Sequence, residues 1–187
     1  MSNYCTGNNA GLAYFYCDYQ DQSIQTAVGL LANLIRQFVQ SKTSFFKPLE
    51  ELYESLEARR SKPTVPDLES VLNSVCRTYG TTYIIIDALD ECHPDQRKIL
   101  LPVLRRLNKT SIKVLVTSRQ HAQDIERAFQ GQPRVEIRAT EHDLRDYVAS
   151  QIEQDEDLID LLTDELKEKM ISSISGGAGG MSVISLC

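Results

Sequence analysis

The chain has few cysteines and no long apolar segment, and each shortage excludes a class of protein. Its 187 residues include five cysteines, which lie far apart without the paired spacing of a zinc site or a disulfide framework. No apolar run approaches the length of a membrane span, and residues 1–11 are too polar for a secretory signal. We therefore expect reduced thiols, a cytoplasmic location and no membrane partner.

Basic residues are also in the minority. Lys and Arg together number 20 against 26 Asp and Glu, which gives a net charge of −6. A surface that binds nucleic acid needs clustered Lys and Arg to neutralise phosphates, and the short basic run at residues 59–62 is better interpreted as a solvated turn. We expect an acidic, solvated exterior and no nucleic-acid partner.

Strand signals alternate with helix signals along the chain, and this order is typical of an α/β domain with a parallel sheet. At 187 residues the chain is long enough to bury a core within one such domain. Short apolar or alternating runs predict strands at residues 12–17, 83–86, 112–116 and 134–138. Apolar residues at helical spacing predict amphipathic helices between these strands and after them.

Capping signals predict where several helices begin. Ser23 is expected to cap the first helix, whose apolar face starts at Ile24. The segments Thr64–Asp67 and Thr140–Asp143 have the sequence of a capping box, and Pro94 suits the first turn of a helix. Each of these positions therefore predicts the start of a helix.

Glycine predicts where two helical segments end. Gly80 is expected to end the helix that starts after Thr64, in the manner of a C-terminal cap. The last helix is expected to contain the apolar residues from Leu158 to Ile174. Residues 175–180 are too rich in glycine for regular structure, so we predict a flexible tail there.

The run from Tyr83 to Cys92 gives the strongest functional signal. Its β-branched residues end abruptly in Asp87, and Asp90 and Glu91 follow. A buried parallel strand requires such an apolar run, and ligands of open α/β sheets bind beyond the carboxyl ends of the strands. We predict that Asp87 holds Mg²⁺ and that Asp90 and Glu91 orient or deprotonate an attacking water. In the alternative interpretation these acids only cap the next helix or face solvent.

A second buried strand ends in Thr117-Ser118-Arg119. A guanidinium opposite a magnesium-binding carboxylate is what a triphosphate site needs, so we predict that Arg119 senses the terminal phosphate, with Ser118 beside it in the nucleotide site. The alternative for Arg119 is a surface ion pair with an acid such as Asp124. Hydrolysis by a Ser–His pair has little support, because Ser118 has no neighbouring His and the sequence has no G-x-S-x-G motif.

From Gly11 to about Ile174 the chain resembles the NACHT module of fungal signal-transduction NTPases, and three segments carry this resemblance. More narrowly, the chain resembles the nephrocystin-like N-terminal domain of fungal NOD-like receptors, which commonly precedes ankyrin or WD40 repeats and accompanies effector domains. The segments occur in the order of that family: Gly11–Tyr19, Ile84–Cys92 and Lys113–Arg119.

The resemblance implies a P-loop NTPase-like parallel sheet flanked by helices, and it implies roles for the same side chains. Asp87 corresponds to the Mg²⁺-binding Asp of the Walker B motif, Asp90 and Glu91 to the acids near the hydrolytic water, and Arg119 to the sensor Arg. The implied ligand is ATP or GTP with Mg²⁺. In the parent protein, bound nucleotide would set the orientation of this domain relative to its neighbours.

The sequence departs from the family at the phosphate-binding loop. The family pattern G-x-x-x-x-G-K-[S/T] is absent, because no Gly-Lys dipeptide occurs, and Ser41-Lys42-Thr43 lacks the glycines and follows a helix. We therefore expect an incomplete sheet, nucleotide binding that is weak or lost, and exposed sheet edges that favour self-association. A fragment of a larger receptor, or a truncated gene, is the expected origin.

The predicted organisation has four parts. Residues 1–10 form a polar N-terminal remnant, 11–139 a partial NACHT domain, 140–174 a helical segment leading toward a winged-helix region, and 175–187 the tail. Two functions remain open. The chain is either the nucleotide-switch piece of a NOD-like signalling ATPase, not competent for hydrolysis as it stands, or a non-catalytic interaction or oligomerisation fragment with a vestigial site.

Overall fold

The computed structural model describes residues 9–41, 47–119, 122–138, 140–155, 162–177 and 182–186. The chain divides into two compact units, one of residues 1–135 with 184–187 and the other of residues 136–183. The boundary thus falls at residue 135, whereas the sequence predicted residue 139.

The first unit alternates strands and helices. Its elements are β1 (Ala10–Tyr16), α1 (Ala27–Gln40), α2 (Lys47–Arg59), α3 (Val65–Cys76), β2 (Thr81–Asp87), α4 (Pro94–Leu107), β3 (Ile112–Arg119) and α5 (Gln123–Ala128). Short 3-10 turns at Tyr19–Asp21 and Leu89–Glu91 follow β1 and β2. The strands β4 (Arg134–Arg138) and β5 (Ser182–Leu186) each cross the boundary between the units.

Strands β1, β2 and β3 lie side by side in that order and run parallel. The register places Tyr16 opposite Asp87 and Ile86 opposite Val116. Parallel strands align their carboxyl ends at one edge of the sheet, so the acids after β2 and the polar residues that end β3 share that edge. The predicted α/β class with a parallel sheet flanked by helices is confirmed.

The core of the first unit forms where the helices cover this sheet. Ile84, Ile86, Val114 and Val116 are fully buried, as expected for central parallel strands. Helix α1 packs against β1 and α3, and α4 packs against α1 and β3. Each fully buried Leu, Ile or Phe side chain contributes roughly 1.5–3 kcal/mol by leaving water. The helices supply most of these side chains: Leu31, Leu34, Phe38, Leu72, Val75, Leu100, Leu104 and Leu107.

One aromatic ring connects β1, α1 and the end of α3. The ring of Tyr79 lies so close to Gly11 that a Cβ atom added there would be 2.9 Å from the Tyr79 Cγ atom. The Tyr79 hydroxyl donates to the carbonyl oxygen of Phe38 at 2.7 Å and lies 2.7 Å from the Ser41 hydroxyl. Glycine is therefore required at position 11 by space.

A glutamine side chain covers part of the outer edge of β1. The Tyr14 N–H donates to Gln37 Oε1 at 3.0 Å, and Gln37 Nε2 donates to the Tyr14 carbonyl oxygen at 2.7 Å. Gln37 Nε2 also donates to Asn33 Oδ1 at 2.7 Å, which braces the amide from the preceding turn of α1. The Gln37 amide thus makes the two bonds that a neighbouring strand would make at this residue.

The start predicted for the first helix is wrong. Helix α1 begins at Ala27, and the Thr26 hydroxyl, not that of Ser23, caps it by accepting the Gly29 N–H at 3.0 Å. Ile24 is 72% exposed because the chain still turns there, with its N–H bonded to the Asp21 carbonyl oxygen. The apolar spacing continues through the turn, so periodicity alone placed the start too early.

The end predicted for α3 is also wrong. Helix α3 ends at Cys76, and Arg77 occupies the C-terminal cap with right-handed helical dihedral angles. Gly80 instead donates its N–H to the Asn9 carbonyl oxygen at 2.8 Å, where β1 and β2 begin. The predicted starts at Thr64, Pro94 and Thr140 are confirmed, with both capping boxes formed.

The second unit contains α6 (Glu141–Gln154) and α7 (Asp164–Gly177), which pack against each other. Ile152 and Ile171 are buried, and Arg145 Nη2 lies 2.8 Å from Glu168 Oε2. The predicted tail without regular structure is wrong where it overlaps the end of α7 and β5. Residues 178–181 and 187, and residues 156–161 of the predicted last helix, lie outside the described residues.

Two further expectations concern the membrane and the cysteines. Among the described helices, none combines the length and apolarity needed to cross a bilayer. Cys17, Cys76 and Cys92 are free thiols in the buried core. Cys5 and Cys187 lie outside the described residues.

Candidate functional site

The acids after β2 are held by a tight turn. Asp87 is the last residue of β2, and Ala88 adopts the left-handed conformation, with φ 51° and ψ 45°. That conformation costs a residue with a Cβ atom about 1–2 kcal/mol. Leu89 is fully buried directly afterwards and anchors the turn, so Asp90 and Glu91 emerge at the carboxyl edge of the sheet.

Asp87 is fixed from both neighbouring strands. Its Oδ1 accepts a hydrogen bond from the Thr117 hydroxyl at 2.5 Å, and its carbonyl oxygen accepts the Cys17 N–H at 3.0 Å. The Thr117 hydroxyl in turn accepts the Ala88 N–H at 2.8 Å. Within the described part of the chain, no residue hydrogen-bonds the other carboxylate oxygen, Oδ2. One oxygen of Asp87 is therefore held and the other is available.

Arg119 lies against both remaining acids. Its Nη2 is 2.7 Å from Glu91 Oε1, and its Nε is 3.7 Å from Asp90 Oδ2. The Arg119 N–H also donates to Asp90 Oδ1 at 3.1 Å. The Arg119 side chain is 62% exposed, whereas those of Asp90 and Glu91 are 14% and 19% exposed. The carboxylates are the enclosed partners of this cluster, and the guanidinium faces solvent.

Glu91 also connects the cluster to the segment after β1. Its Oε2 accepts the Tyr19 N–H at 3.4 Å, and its carbonyl oxygen accepts a hydrogen bond from Gln22 Nε2 at 2.7 Å. The 3-10 turn Tyr19–Asp21 is thus joined to Arg119 through one side chain. A change in the partner of Arg119 can therefore affect this turn.

Arg97 supports the acidic turn from α4. Its Nη1 donates to the carbonyl oxygens of Asp90 and Cys92, at 2.8 and 3.0 Å, and its Nε donates to Asp124 Oδ2 at 2.6 Å. Burial alone would raise the pKa of Asp124, but the hydrogen bond and charge of Arg97, together with hydrogen bonds from the backbone N–H groups of Asp124 and Ile125, lower it. The role of Arg97 was not predicted from the sequence. The sequence does contain one signal of it, because Arg97 is a cation near the start of a helix, where the helix dipole disfavours a positive charge.

Two buried thiols lie beside the acids. The pKa of the Cys17 thiol is raised by its hydrogen bond to Cys92, by burial, and by the charges of Asp87 and Asp90. The same hydrogen bond, with the charge of Arg97, lowers the pKa of Cys92. Both thiols are buried.

Of the five predicted site residues, Asp90, Glu91 and Arg119 contact one another, and Asp87 is bonded to Thr117, two residues before Arg119 on β3. Ser118 makes no described contact with the acids, since its hydroxyl donates only to the Arg119 carbonyl oxygen at 3.4 Å. Thr117, one residue earlier, contacts Asp87 instead. Strand alternation explains the difference, because adjacent residues of β3 point to opposite faces.

Of the alternative interpretations, capping of the next helix by the acids is not seen, whereas the surface ion pair of Arg119 is seen, with Asp90 and Glu91 in place of Asp124. Helix α4 is capped by His93, whose Nδ1 accepts the Asp95 N–H, so neither Asp90 nor Glu91 is its cap. Asp124 pairs with Arg97 and not with Arg119. The acids and Arg119 are thus organised around one another.

The side chains available as metal ligands limit how an ion could be bound here. Among the described residues, no group of three or more His, Cys, Asp or Glu side chains is arranged to bind an ion. Mg²⁺ in nucleotide sites is bound by one or two carboxylates together with phosphates and waters. One available carboxylate oxygen, Asp87 Oδ2, fits that mode of binding and does not fit a site made only of protein ligands.

Comparison with known proteins identifies the family of the chain. The sequence model of the family described as Nephrocystin 3, N-terminal, matches residues 1–119, which contain β1 to β3 and all four clustered side chains. The vegetative incompatibility protein HET-E-1 of Podospora anserina is 33% identical over 116 residues, which cover 58% of this chain. The chain spans 8% of the length of that relative.

Proposed function

Because the chain belongs to the nephrocystin-3 N-terminal family, we propose that it supplies the acidic half of a nucleotide-binding switch in a larger NOD-like receptor. The observation that carries the proposal is the position of Asp87, with one oxygen held by Thr117 and the other available, at the edge where Arg119 faces solvent. The similarity to the fungal protein HET-E-1 supports the assignment to a receptor fragment.

Each clustered side chain has a role in this proposal. Asp87 Oδ2 would hold Mg²⁺, which neutralises charge on the phosphates of ATP or GTP when bound. Arg119, as a guanidinium with a planar set of donors, would pair with the terminal phosphate. Asp90 and Glu91 would accept hydrogen bonds from water beside that phosphate.

The ion pair between Arg119 and Glu91 means that a phosphate must compete for the guanidinium. The Arg119 side chain is more than half exposed, so breaking the ion pair with Glu91 costs little, about 0–1 kcal/mol. When Arg119 turns to the phosphate, Glu91 loses its cation and becomes available to a water. We propose this exchange of partners as the event that links ligand binding to the turn at Tyr19.

Binding by this polypeptide is expected to be weak, and hydrolysis is not expected. Backbone N–H groups and the Lys of a phosphate-binding loop supply most phosphate contacts in this class of site, and these 187 residues contain no Gly-Lys dipeptide. Another segment of the parent receptor, or another chain, would complete the site.

A second candidate function is a non-catalytic interaction fragment. The observation that favours it is the internal pairing of the site, since Arg119 already pairs with both Asp90 and Glu91. In that case the cluster would be structural, and ankyrin or WD40 repeats, effector domains or a second copy of the chain would be the partners.

Titration calorimetry with ATP and ADP, with and without Mg²⁺, separates these functions. We expect a Kd on the order of 0.1–1 mM for the wild-type chain with Mg²⁺, equivalent to roughly −4 to −5.5 kcal/mol. Asp87→Asn should weaken binding at least about tenfold, or ~1.4 kcal/mol, with Mg²⁺ and leave it unchanged without. Asp95→Asn, an exposed acid on α4, is the matched control. Binding that is absent, or equal in wild type and Asp87→Asn, excludes the nucleotide function for this polypeptide.

A further inference from the structure

We infer that Thr117 is the positioning residue for the Asp87 carboxylate, an inference that rests on the proposed function because it concerns the oxygen that Asp87 offers to a ligand. Thr117 and Asp87 lie on adjacent strands, 30 residues apart in sequence. Thr117 touches neither an expected phosphate position nor the other acids in the described contacts, so it would act through Asp87.

The Thr117 hydroxyl forms two hydrogen bonds, one as acceptor and one as donor. It accepts the Ala88 N–H at 2.8 Å, which directs its own proton to Asp87 Oδ1 at 2.5 Å. A hydroxyl has one proton and two lone pairs, so it can accept the bond from Ala88 and donate its proton to Asp87 at the same time. This chain of two bonds fixes which oxygen of Asp87 is occupied and leaves Oδ2 for the ligand.

The surroundings of Thr117 hold the hydroxyl in this orientation. Its residue exposure is only 9%, and a β-branched side chain in a strand has restricted rotation about χ1. The same hydroxyl satisfies the backbone of Ala88, whose left-handed conformation places Asp90 and Glu91. A single side chain therefore sets the orientation of Asp87 and the direction in which the acidic turn leaves β2.

Thr117 is also two residues from Arg119 on β3. Residues i and i+2 of a strand point to the same face, so the strand that fixes Asp87 also presents the cation beside it. The separation between the carboxylate and the guanidinium is thus set by the pairing of β2 with β3, to which the Thr117 hydroxyl adds a direct bond.

The variants that test this role are Thr117→Val, which keeps the shape and removes the hydroxyl, and Thr117→Ser, which restores it. Thr82→Val is the matched control, because Thr82 is also a buried threonine, on β2, and its hydroxyl donates to the Cys76 carbonyl oxygen, away from the acids. The measurements are Mg²⁺-dependent binding of ATP by calorimetry, hydrogen exchange of the Ala88 amide, and unfolding in urea.

We expect Thr117→Val to lose about tenfold in Mg²⁺-dependent binding and to exchange the Ala88 amide about tenfold faster, since one hydrogen bond to a charged group is removed. Thr117→Ser should bind within about threefold of wild type, whereas Thr82→Val should lower stability and keep the binding. If Thr117→Val binds ATP as wild type does, or if Thr82→Val loses as much binding as Thr117→Val, the inference is wrong and the proposed function is unaffected. Wild-type protein without Mg²⁺-dependent binding overturns the proposed function, and the inference with it.

Discussion

Arg119 and Glu91 form a close ion pair, with Arg119 Nη2 2.7 Å from Glu91 Oε1. Both were predicted to serve a nucleotide, the cation at the phosphate and the acid at the water. In the structure they neutralise each other, and Asp90 adds a second carboxylate at 3.7 Å from the guanidinium. The site as described is therefore in a self-paired state, which a phosphate would have to replace.

Removing the charge of Glu91 should release Arg119 for a phosphate. We expect Glu91→Gln to bind Mg²⁺·ADP or pyrophosphate about three- to tenfold more tightly than wild type, because a neutral amide competes less well for the guanidinium. Glu69→Gln is the matched control, since Glu69 forms a two-bond pair with Arg106 away from the site. Calorimetry measures the difference, and equal affinity of Glu91→Gln and wild type would contradict the exchange of partners.

Arg97, on helix α4, is expected to contribute substantially to the free energy of unfolding. Its side chain is 12% exposed and donates to two carbonyl oxygens of the acidic turn and to Asp124. We expect Arg97→Met to lower the free energy of unfolding by about 2–4 kcal/mol, since these acceptors lose their donor. Arg106→Met, which breaks an exposed pair, should cost only about 0–1 kcal/mol. Urea unfolding of both variants measures this difference. Similar losses of unfolding free energy in the two variants would contradict the proposal that Arg97 stabilises the acidic turn.

The Arg97–Asp124 pair should make stability depend on acid pH. The pKa of Asp124 is lowered in the folded protein, so its contribution is complete above the pKa of the unfolded chain, about 4. That contribution is lost as the pH falls through the lower folded value. We expect Asp124→Asn to be less stable than wild type at pH 7 and to approach wild type near pH 3, as measured by urea unfolding. A difference that stays constant between these pH values would contradict the linkage.

Gln37 should keep β1 from pairing with other strands. We expect Gln37→Ala to associate in a concentration-dependent manner, because the N–H and carbonyl of Tyr14 then face solvent at the end of the sheet. Gln37→Glu keeps the acceptor, loses the donor and adds a charge that opposes pairing, so it should associate less than Gln37→Ala. Analytical ultracentrifugation measures both, and a Gln37→Ala variant that sediments like wild type would show that the edge needs no such cover.

Local signals were sufficient to predict much of this fold. The apolar run of β2, Pro94 at the start of α4 and the capping box at Thr64 each depend on residues within a few positions, and all three were predicted correctly. The start of α1 was not, because Ile24 has the spacing of a helix face but lies in a turn held by Asp21.

The site could be predicted in outline but not in its connections. Its acids and Arg119 follow strands whose carboxyl ends must share an edge, so their proximity follows from the parallel sheet alone. The partners of Thr117, Arg97 and Asp124 could not be read from the sequence. The Arg97–Asp124 and Thr117–Asp87 bonds join residues 27 and 30 positions apart and depend on how the strands and helices pack.

The ring of Tyr79 has a consequence for how relatives of this chain can vary. Position 11 accepts a side chain only if position 79 becomes smaller, since the ring fills the space above Gly11. A smaller residue at 79 would also remove the Tyr79 hydroxyl, which donates to the Phe38 carbonyl oxygen together with the Ser41 hydroxyl. A change at position 11 therefore requires a compensating change at position 79, and we expect glycine 11 and tyrosine 79 to be inherited as a pair.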